Sequence, residues 1–239
     1  MMNKAVCGAL VFLSVLGMSV GHALADQRSY VWTYEYQTLP RGEAELEYYF
    51  TISAPDSSSM KTNVTTEHKV EYEIGMTEHF DFAIYQVFEQ TPEEDMQYKA
   101  FQLRARYRFG QRGEHLVDSL VYLEYEGVPD FSEHVIEAKW VMAKDIGRFN
   151  VSVNPILELE IEDETELKPE YAVGVSYKAN DLLKLGVEAK GGEKGHYIGP
   201  TISHGKGRFW ATLGSAFAVS SVEEGEPEFQ IRMLLGIGL

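Results

Sequence analysis

Apolar and polar residues alternate with a period of two along most of this chain. In residues 44–54, aromatic and aliphatic side chains occupy one parity, and glutamate, threonine and serine occupy most of the other. Residues 101–109 alternate in the same way, with Arg104, Arg106 and Arg108 on the polar parity. Successive side chains of a β-strand point to opposite faces, whereas a helix would scatter these charges around its axis. The pattern therefore predicts strands with one polar and one apolar face.

The alternation recurs to the end of the chain and predicts about twelve strands, with ten to fourteen allowed by the pattern. Their predicted bounds are 44–55, 64–76, 80–90, 97–109, 116–127, 133–144, 148–162, 166–178, 182–192, 196–203, 208–219 and 228–239. Segment 80–90 is the least clear, because Phe82 and Ile84 lie on one parity while Tyr85 and Val87 lie on the other. The spacing is regular and no linker interrupts it, which indicates a single domain.

The connections between these strands fall into two sets that alternate along the chain. The short set comprises 75–79, 110–115, 145–148, 179–181 and 204–207. The acidic set comprises 93–95, 130–133, 162–164, Glu193 and 223–226. In a membrane barrel, short turns face the periplasm and longer loops face outward. We therefore expect both termini in the periplasm and most of the excess negative charge on the cell exterior.

The last predicted strand has the most regular pattern. Its apolar parity consists of Phe229, Ile231, Met233, Leu235, Ile237 and Leu239. A terminal strand of this kind resembles the signature by which outer-membrane barrels are recognised for insertion, and it implies the barrel-assembly machinery as a partner. The usual final residue of that signature is Phe, and this chain has Leu239 there.

Residues 1–25 have the pattern of a secretory signal peptide. Lys4 precedes an apolar run, and Ala23-Leu24-Ala25 forms a small-x-small site, so we expect cleavage before Asp26. The alternative, a membrane anchor, is disfavoured because the run is short and contains glycine and serine. Cys7 is the only cysteine. We therefore expect the mature protein to contain no disulfide and no thiolate site.

Composition separates a membrane barrel from the other membrane and β classes. The mean hydropathy is −0.23, 24% of residues are charged, and no apolar run after Ala25 reaches the roughly 18 residues that a spanning helix needs. A soluble β-protein would also show alternation. The signal peptide, the terminal strand and the strand lengths favour the lipid-facing version, which must close to pair its edges. We predict an all-β, antiparallel up-and-down transmembrane barrel over residues 44–239, among outer-membrane lipid and lipopolysaccharide of a Gram-negative bacterium.

Residues 26–43 form an aromatic segment ahead of this barrel. Tyr30, Trp32, Tyr34 and Tyr36 share one parity, and Pro40 and Gly42 follow as breaks. We favour a periplasmic or lumenal segment, because a further strand would make the strand count odd. The extra strand stays open as the alternative.

Three blocks of sequence resemble a group of uncharacterised proteobacterial outer-membrane proteins. These blocks are residues 30–36 (YVWTYEY), 80–86 (FDFAIYQ) and 195–200 (GHYIGP). More distantly, the whole chain resembles the barrels linked to a phenol-degradation (meta-cleavage) pathway. The resemblance implies a barrel with a role in solute uptake, and it implies no catalytic or binding residue.

The polar parity predicts a charged lumen. Its acids are Glu45, Glu47, Glu71, Glu73, Glu124, Glu126, Glu137, Glu158, Glu160, Glu170 and Glu188. Its bases are Lys69, Arg104, Arg106, Arg108, Lys139, Lys168, Lys184, Lys190 and Arg232. One interpretation is a narrow porin-like channel, in which an arginine column faces acids and selects small polar solutes. The alternative is a lumen closed by salt bridges. A turn near Arg112 also predicts that Arg108 lies beside Asp118.

Other chemistries find little support. The net charge of −16 disfavours nucleic-acid binding, which needs clustered bases. The histidines show no ligand spacing and no acidic loop has an EF-hand order, so we expect no metal or cofactor. Ser203 and His204 are adjacent and would point to opposite faces, which disfavours a hydrolase and any catalytic residue. We expect a passive channel for small polar solutes, with a closed structural or interaction barrel as the alternative and a barrel hydrolase as a remote one.

Overall fold

The computed structural model describes residues 27–56, 59, 63–162 and 165–239. Cys7 and the predicted signal peptide with its cleavage site lie outside the described residues. The strands are β1 Ala44–Ala54, β2 Thr65–Gly75, β3 Phe80–Gln90, β4 Gln97–Phe109, β5 Asp118–Gly127, β6 His134–Ile146, β7 Phe149–Ile161, β8 Thr165–Lys178, β9 Leu183–Gly192, β10 Gly195–Lys206, β11 Phe209–Ala218 and β12 Phe229–Gly238. Each strand pairs antiparallel with its sequence neighbour, and β1 pairs with β12. The predicted closed up-and-down barrel is confirmed.

Two connections are shorter than the sequence predicted. Asp145 and Ile146 belong to β6, and residues 204–206 belong to β10, so each hairpin turns on only two residues. Gly147 and Gly207 occupy the first turn position with φ values of 62° and 64°. A positive φ at that position is typical of type II′ hairpin turns, where glycine is favoured. The predicted four-residue turns were wrong because the polar residues before each glycine still pair in the sheet.

The alternation in β3 is unclear in the sequence because apolar side chains lie on both faces of this strand. Its outward positions carry Phe82 and Ile84, while Tyr85 and Val87 are buried in the lumen. Tyr85 packs against Tyr49 of β1, with 6.1 Å between ring centroids. An apolar side chain therefore occupies both parities, because this part of the lumen is itself partly aromatic.

The outward face of the barrel is apolar on every side. Exposed side chains on six different strands include Leu46, Ile84, Leu123, Leu157, Val187 and Leu213. Soluble monomers rarely expose apolar patches beyond a few hundred Å². A continuous belt of this kind around a closed sheet is suited to contact with hydrocarbon, where every backbone amide must be paired. Among the described residues, no helix has the length and apolarity that crossing a membrane requires.

Aromatic residues border this belt at both ends. Near the short turns, Phe109 stacks on Trp140 with 5.9 Å between ring centroids. Near the loops, the outward histidines bond tyrosine hydroxyls in three pairs: Tyr48–His68 at 2.5 Å, Tyr125–His134 at 2.7 Å and Tyr171–His196 at 3.1 Å. Tyrosine and tryptophan are enriched where a membrane protein meets the lipid headgroups. These histidines are therefore part of an aromatic border and not of a shared cluster.

The start of β1 and the end of β12 lie at the end of the barrel that carries the short turns. The amide of Leu239 donates to the carbonyl of Ala44 at 2.8 Å, and the amide of Gly238 donates to the carbonyl of Arg208 at 2.7 Å. The first and last strands thus close the sheet beside the short turns. We call this the turn end and the opposite one the loop end.

The predicted pairing of Arg108 with Asp118 is wrong. Arg108 lies opposite Leu120 in the β4–β5 ladder, so the register differs by two residues. Arg108 donates to the carbonyl of Glu78 at 3.0 and 2.7 Å. Asp118 instead accepts from the amide of Gly113 at 2.9 Å. The connection over 110–117 is longer than a tight turn, and a backbone amide within it binds the carboxylate of Asp118.

The apolar belt predicts a depth-dependent penalty for charge. Leu123 lies in the middle of β5 and is 50% exposed, whereas Leu116 lies in the 110–117 connection and is 87% exposed. We expect Leu123→Arg to lower the free energy of unfolding by about 2–4 kcal/mol and Leu116→Arg by about 0–1 kcal/mol. Denaturant titration in lipid vesicles measures both, and equal effects would contradict a hydrocarbon-facing belt.

Candidate functional site

The lumen contains the chain that precedes the barrel. Residues 27–39, which we call the lumenal segment, form no strand, so the alternative of an extra strand is not realised. Tyr30 is fully buried, and Val31, Tyr36 and Leu39 are 1% exposed. Because the barrel wall is a single sheet, side chains buried this deeply lie inside it. Residues 40–43 then connect the segment to the start of β1.

Glu188 of β9 holds the middle of the lumenal segment. Its carboxylate accepts from three consecutive amides, those of Val31 at 3.0 Å, Trp32 at 3.0 Å and Thr33 at 2.9 Å. Glu188 is itself 2% exposed. Three amides directed at one buried carboxylate satisfy backbone donors that no strand partner reaches, and hydrogen bonds to a charged acceptor are the stronger kind.

Strand β7 supplies a second set of contacts through its asparagines. The side chain of Asn154 accepts from the amide of Tyr34 at 2.6 Å and donates to the Tyr34 carbonyl at 3.1 Å. Asn150 accepts from the Tyr30 hydroxyl at 3.1 Å. Asn154 thus pairs with Tyr34 as a neighbouring strand would. Irregular backbone at membrane depth is tolerated only where such groups surround it.

The lumenal segment also folds on itself. The carboxylate of Glu35 accepts from the amide and the hydroxyl of Ser29 at 2.6 and 2.8 Å, which closes residues 29–35 into a compact loop. The guanidinium of Arg28 lies 4.3 Å from the ring centroid of Tyr34 and donates to the hydroxyl of Tyr49 at 3.1 Å. The loop is therefore a formed structure with its own polar closure.

Both ends of the lumenal segment are attached near the turn end. Thr212 donates to the carbonyl of Arg28 at 2.6 Å, and the amide of Leu39 donates to Asp81 at 2.9 Å. The hydroxyl of Tyr36 donates to the carbonyl of Phe109 at 2.7 Å. The segment thus enters and leaves the lumen at the turn end, while its middle reaches Glu188.

Two glycines on the lumenal face leave room for the segment. A Cβ at position 174 would lie 2.5 Å from the ring of Tyr30, and one at position 214 would lie 2.5 Å from Cγ2 of Val31. Contacts this short are not observed between real side chains, so any larger residue would displace the segment. Glycine at these two lumenal positions therefore matches the segment's presence there.

A network of buried charges occupies the wall beside the segment. Arg104 pairs with Glu71 at 2.8 Å and with Glu73 at 2.6 Å, and Arg106 pairs with Asp81 at 2.7 Å and also with Glu73. Arg104 and Arg106 are 1% and 4% exposed. The expected column of solute-facing arginines is not formed, because these two are neutralised by carboxylates on β2 and β3.

Glu45 and Glu47 lie deep in the same wall. Glu45 accepts from the indole N–H of Trp210, which is fully buried. Carboxylate oxygens of Glu47, Glu71 and Glu73 lie within 4.8 Å of one another. Arg104 and Arg106 of β4 already supply positive charge to the Glu71 and Glu73 members of this group.

A polar cavity of about 440 Å³ opens above the segment toward the loops. Its base is aromatic and includes Trp32, Tyr34, Tyr49, Tyr85 and Tyr122. Its charged lining comprises Lys69, Glu124, Glu126, Glu137, Lys139, Glu158, Glu160, Glu170, Lys190, Lys194, Glu226 and Arg232. A smaller cavity of about 180 Å³ lies on the other side of the segment and is lined in part by Ser29, Glu35 and Lys184. The segment thus separates a loop-side cavity from a turn-side cavity.

The residues predicted to line the lumen fall into separate groups. The wall network and its surroundings contain Glu45, Glu47, Glu71, Glu73, Arg104 and Arg106. The loop-side cavity contains Lys69, Glu124, Glu137, Lys139, Glu158, Glu160 and Arg232. Glu188 and Lys184 bind the segment, with Lys184 donating to the carbonyl of Gln27 at 2.9 Å. Arg108 lies apart, at the edge of the turn end.

Sequence reasoning missed the uncharged partners of the segment. Asn150 and Asn154 lie on the polar parity of β7, and Ser203 and Thr212 lie on the lumenal faces of β10 and β11. These four residues lie on the inward parity of their strands, so the alternation pattern itself marks them as lumenal. Ser203 is buried in the lumen while His204 is outward, so the two do not form a nucleophile–base pair.

Comparison with known proteins shows the fold. No protein-family model matches the sequence, and no curated protein matches it. An outer-membrane channel from Pseudomonas putida F1 has a TM-score of 0.62 at 11% identity, covering 88% of this chain and 100% of the other. The KdgM porin in complex with disordered oligogalacturonate has a TM-score of 0.55 at 8% identity, covering 81% of this chain and 97% of the other. The NanC porin has a TM-score of 0.53 at 6% identity, covering 81% of this chain and 98% of the other. This chain therefore has the fold of outer-membrane channel barrels, and no sequence match supports the resemblance to the phenol-degradation barrels.

The three amides on Glu188 predict that this carboxylate holds the segment in place. We expect Glu188→Gln to speed hydrogen exchange at the amides of residues 31–33 by at least about tenfold, since hydrogen bonds to charged groups contribute about 1.5–3 kcal/mol. Glu170→Gln is the matched control, because Glu170 lies on the adjacent strand and accepts no hydrogen bond from residues 27–39. Equal protection in the two variants would show that other contacts hold the segment.

The wall network predicts unequal effects of removing two arginines from one strand. Arg104→Met leaves Glu71 and Glu73 with less compensating charge, and we expect it to cost about 3–5 kcal/mol in the free energy of unfolding. Arg108→Met removes bonds to one exposed carbonyl, and we expect a cost below about 1 kcal/mol. Urea titration in vesicles compares them, and a small effect of Arg104→Met would mean that water reaches the network.

Proposed function

We propose that this protein is an outer-membrane channel for small polar solutes, closed by its lumenal segment and opened when that segment leaves the lumen. The short turns and both termini would face the periplasm, and the loop-side cavity would face the exterior. The observation that carries the proposal is the pair of polar cavities inside one closed barrel, with residues of the lumenal segment lining both.

The lining of the loop-side cavity supports polar solutes. Charged side chains of both signs surround it, and its volume of about 440 Å³ falls within the range of small-molecule sites. An apolar solute would have to strip water from these charges without replacing it, which costs free energy. A hydrophilic solute can exchange the water for hydrogen bonds of its own.

The attachment of the segment supports a movable closure. The segment makes no β-ladder, and side chains such as Glu188, Asn154 and Thr212 provide its bonds to the wall. All of these partners are polar, so water can replace the segment when it withdraws. The covalent link to β1 through residues 40–43 lies at the turn end and would act as the tether.

The comparisons support transport as the class of function. Solved structures of the same fold include a channel and two porins, one of them in complex with an oligogalacturonate. In this chain the segment occupies the lumen, so passage requires its displacement.

A disulfide lock tests the proposal directly. Cys7 is the only cysteine and precedes the predicted cleavage site, so the chain from residue 26 provides a background without thiols. Cγ2 of Val31 lies 2.5 Å from the place of a Cβ on residue 214. Val31→Cys removes the methyl group that would meet a Cβ at position 214, so Val31→Cys with Gly214→Cys should form a disulfide with the segment in place, which needs a Cβ–Cβ distance of about 3.5–4.5 Å. We expect the oxidised protein to be silent in a planar bilayer and to show discrete openings after reduction.

Two controls complete this test. Each single cysteine variant should conduct regardless of redox state, and deletion of residues 27–39 should give long-lived openings. Silence from a deletion variant that is shown to be folded and inserted would contradict the channel. It would favour the alternative of a closed structural or interaction barrel.

A further inference from the structure

We propose that the loop-side cavity binds zwitterionic solutes, molecules that carry one carboxylate and one ammonium group. This inference extends the proposed function by naming a class of solute. It rests on a separation of charge across the cavity that the sequence alone did not indicate, because the predicted lumenal charges nearly balance. Binding itself does not require that the barrel conduct.

One wall of the cavity is acidic. Glu124, Glu137 and Glu158 lie directly opposite one another on β5, β6 and β7, and Glu170 follows on β8. Lys139 pairs with Glu137 at 2.8 Å. Glu158 and Glu170 form no ion pair with a lysine or arginine among the residues that the structure describes. Like-charged residues facing each other across a ladder are unfavourable unless a cation compensates them.

The opposite wall is basic. Arg232 and Lys69 share a single carboxylate, Glu67, at 3.4 and 3.8 Å. Lys190 lies on β9, which pairs with the β8 strand of Glu170, and the charges of Glu170 and Glu188 act on its ammonium group without a direct salt bridge among the described residues. Two cations on one acid, together with a lysine that has no salt bridge of its own, leave an excess of positive charge on the arc of β9, β12 and β2.

The lumenal segment completes the basic side with an aromatic surface. The Nζ of Lys190 lies 4.8 Å, and the Cζ of Arg232 lies 5.3 Å, from the ring of Trp32. The indole N–H of Trp32 is buried and has no hydrogen-bond acceptor among the described residues. Two cations and a free N–H donor around one ring are a set of groups that a carboxylate would satisfy.

This arrangement discriminates by the placement of charge. A simple anion is attracted by Lys190 and Arg232 but repelled by the glutamates of the facing wall. A simple cation is attracted by the glutamates but repelled by Lys190 and Arg232, and a neutral solute leaves the charges of both walls uncompensated. The acidic and basic arcs meet at the paired strands β8 and β9, which carry Glu170 and Lys190. There, even a zwitterion whose charges are one carbon apart can place each charge against its opposite, so its advantage comes as much from the repulsion of competitors as from its own contacts.

Calorimetric titration of the detergent-solubilised barrel, spanning residues 26–239, tests the inference with three matched probes. L-leucine carries both charges, N-acetyl-L-leucine keeps only the carboxylate, and L-leucinamide keeps only the ammonium group. We expect leucine to bind at least about tenfold more tightly than either derivative, which corresponds to about 1.4 kcal/mol. Equal affinities for the three probes, or no binding by any of them, would overturn the inference.

Two variants should shift the preference in opposite directions. Lys190→Gln removes the unpaired base, so leucine should lose its advantage over leucinamide and keep it over N-acetyl-leucine. The double change Glu158→Gln and Glu170→Gln should do the reverse. The charge-matched controls are Lys206→Gln on the outer face and the double change Glu93→Gln with Glu133→Gln in two loops, and they should leave both ratios unchanged. Parallel shifts in both cavity variants would indicate a general electrostatic effect and contradict a two-sided site.

Liposome swelling with the same probes separates this inference from the proposed function. Permeation of the deletion variant by all three probes at equal rates, without selective binding, would retain the channel and reject zwitterion recognition. Selective binding without permeation would retain the site and reject the channel.

Discussion

Every backbone amide at membrane depth must find its partner within the protein, and the rest of this structure depends on that constraint. The wall meets it by pairing β1 with β12, so that no strand edge faces lipid. The lumenal segment is irregular and cannot use a ladder. Glu188 and Asn154 therefore supply acceptors from the wall, placed on the lumenal parity of β9 and β7. Side chains inside the barrel thus do for the segment what strands do for the wall.

Charge burial follows from the same arrangement. A lumen filled by a peptide excludes water from the wall beside it, and buried charges then need partners of opposite sign. Arg104 and Arg106 find theirs on β3, which pairs with β4, and on β2, the next strand of the barrel. Above the segment, where the cavity opens to the loops, some charges form pairs, as Lys139 does with Glu137, while Glu158 and Glu170 have no salt bridge among the described residues. The charges beside the segment are therefore more completely paired than those above it.

Much of this architecture could be predicted because a period of two determines the face of each residue, and hairpin glycines limit where strands end. The roles of lumenal residues could not. Glu188 and Glu170 are both inward glutamates on neighbouring strands, yet one binds three amides and the other faces a cavity. That difference depends on the position of each residue along the barrel axis relative to the lumenal segment. The path of this segment is determined by contacts between residues that are distant in sequence. Gly174 did indicate a contact, since a glycine at an inward position suggests that another part of the chain packs closely against the wall. The sequence could not identify that part as Tyr30, which lies far from Gly174 in the chain.

The lumenal segment also forms the base of the loop-side cavity. In the proposed function, where this segment closes the channel, binding in the cavity would therefore be coupled to opening. A ligand shifts an equilibrium only by its differential affinity for the two states. A solute that contacts Trp32 would therefore stabilise the docked segment by the binding free energy that it would lose when the segment leaves. The residues of the walls do not depend on the segment, because Lys190, Glu158 and Glu170 lie on strands. Under the proposed function, a solute held mainly by the walls could therefore stay bound while the segment withdraws. Contacts to Trp32 would then favour closure, and contacts to the walls would permit passage.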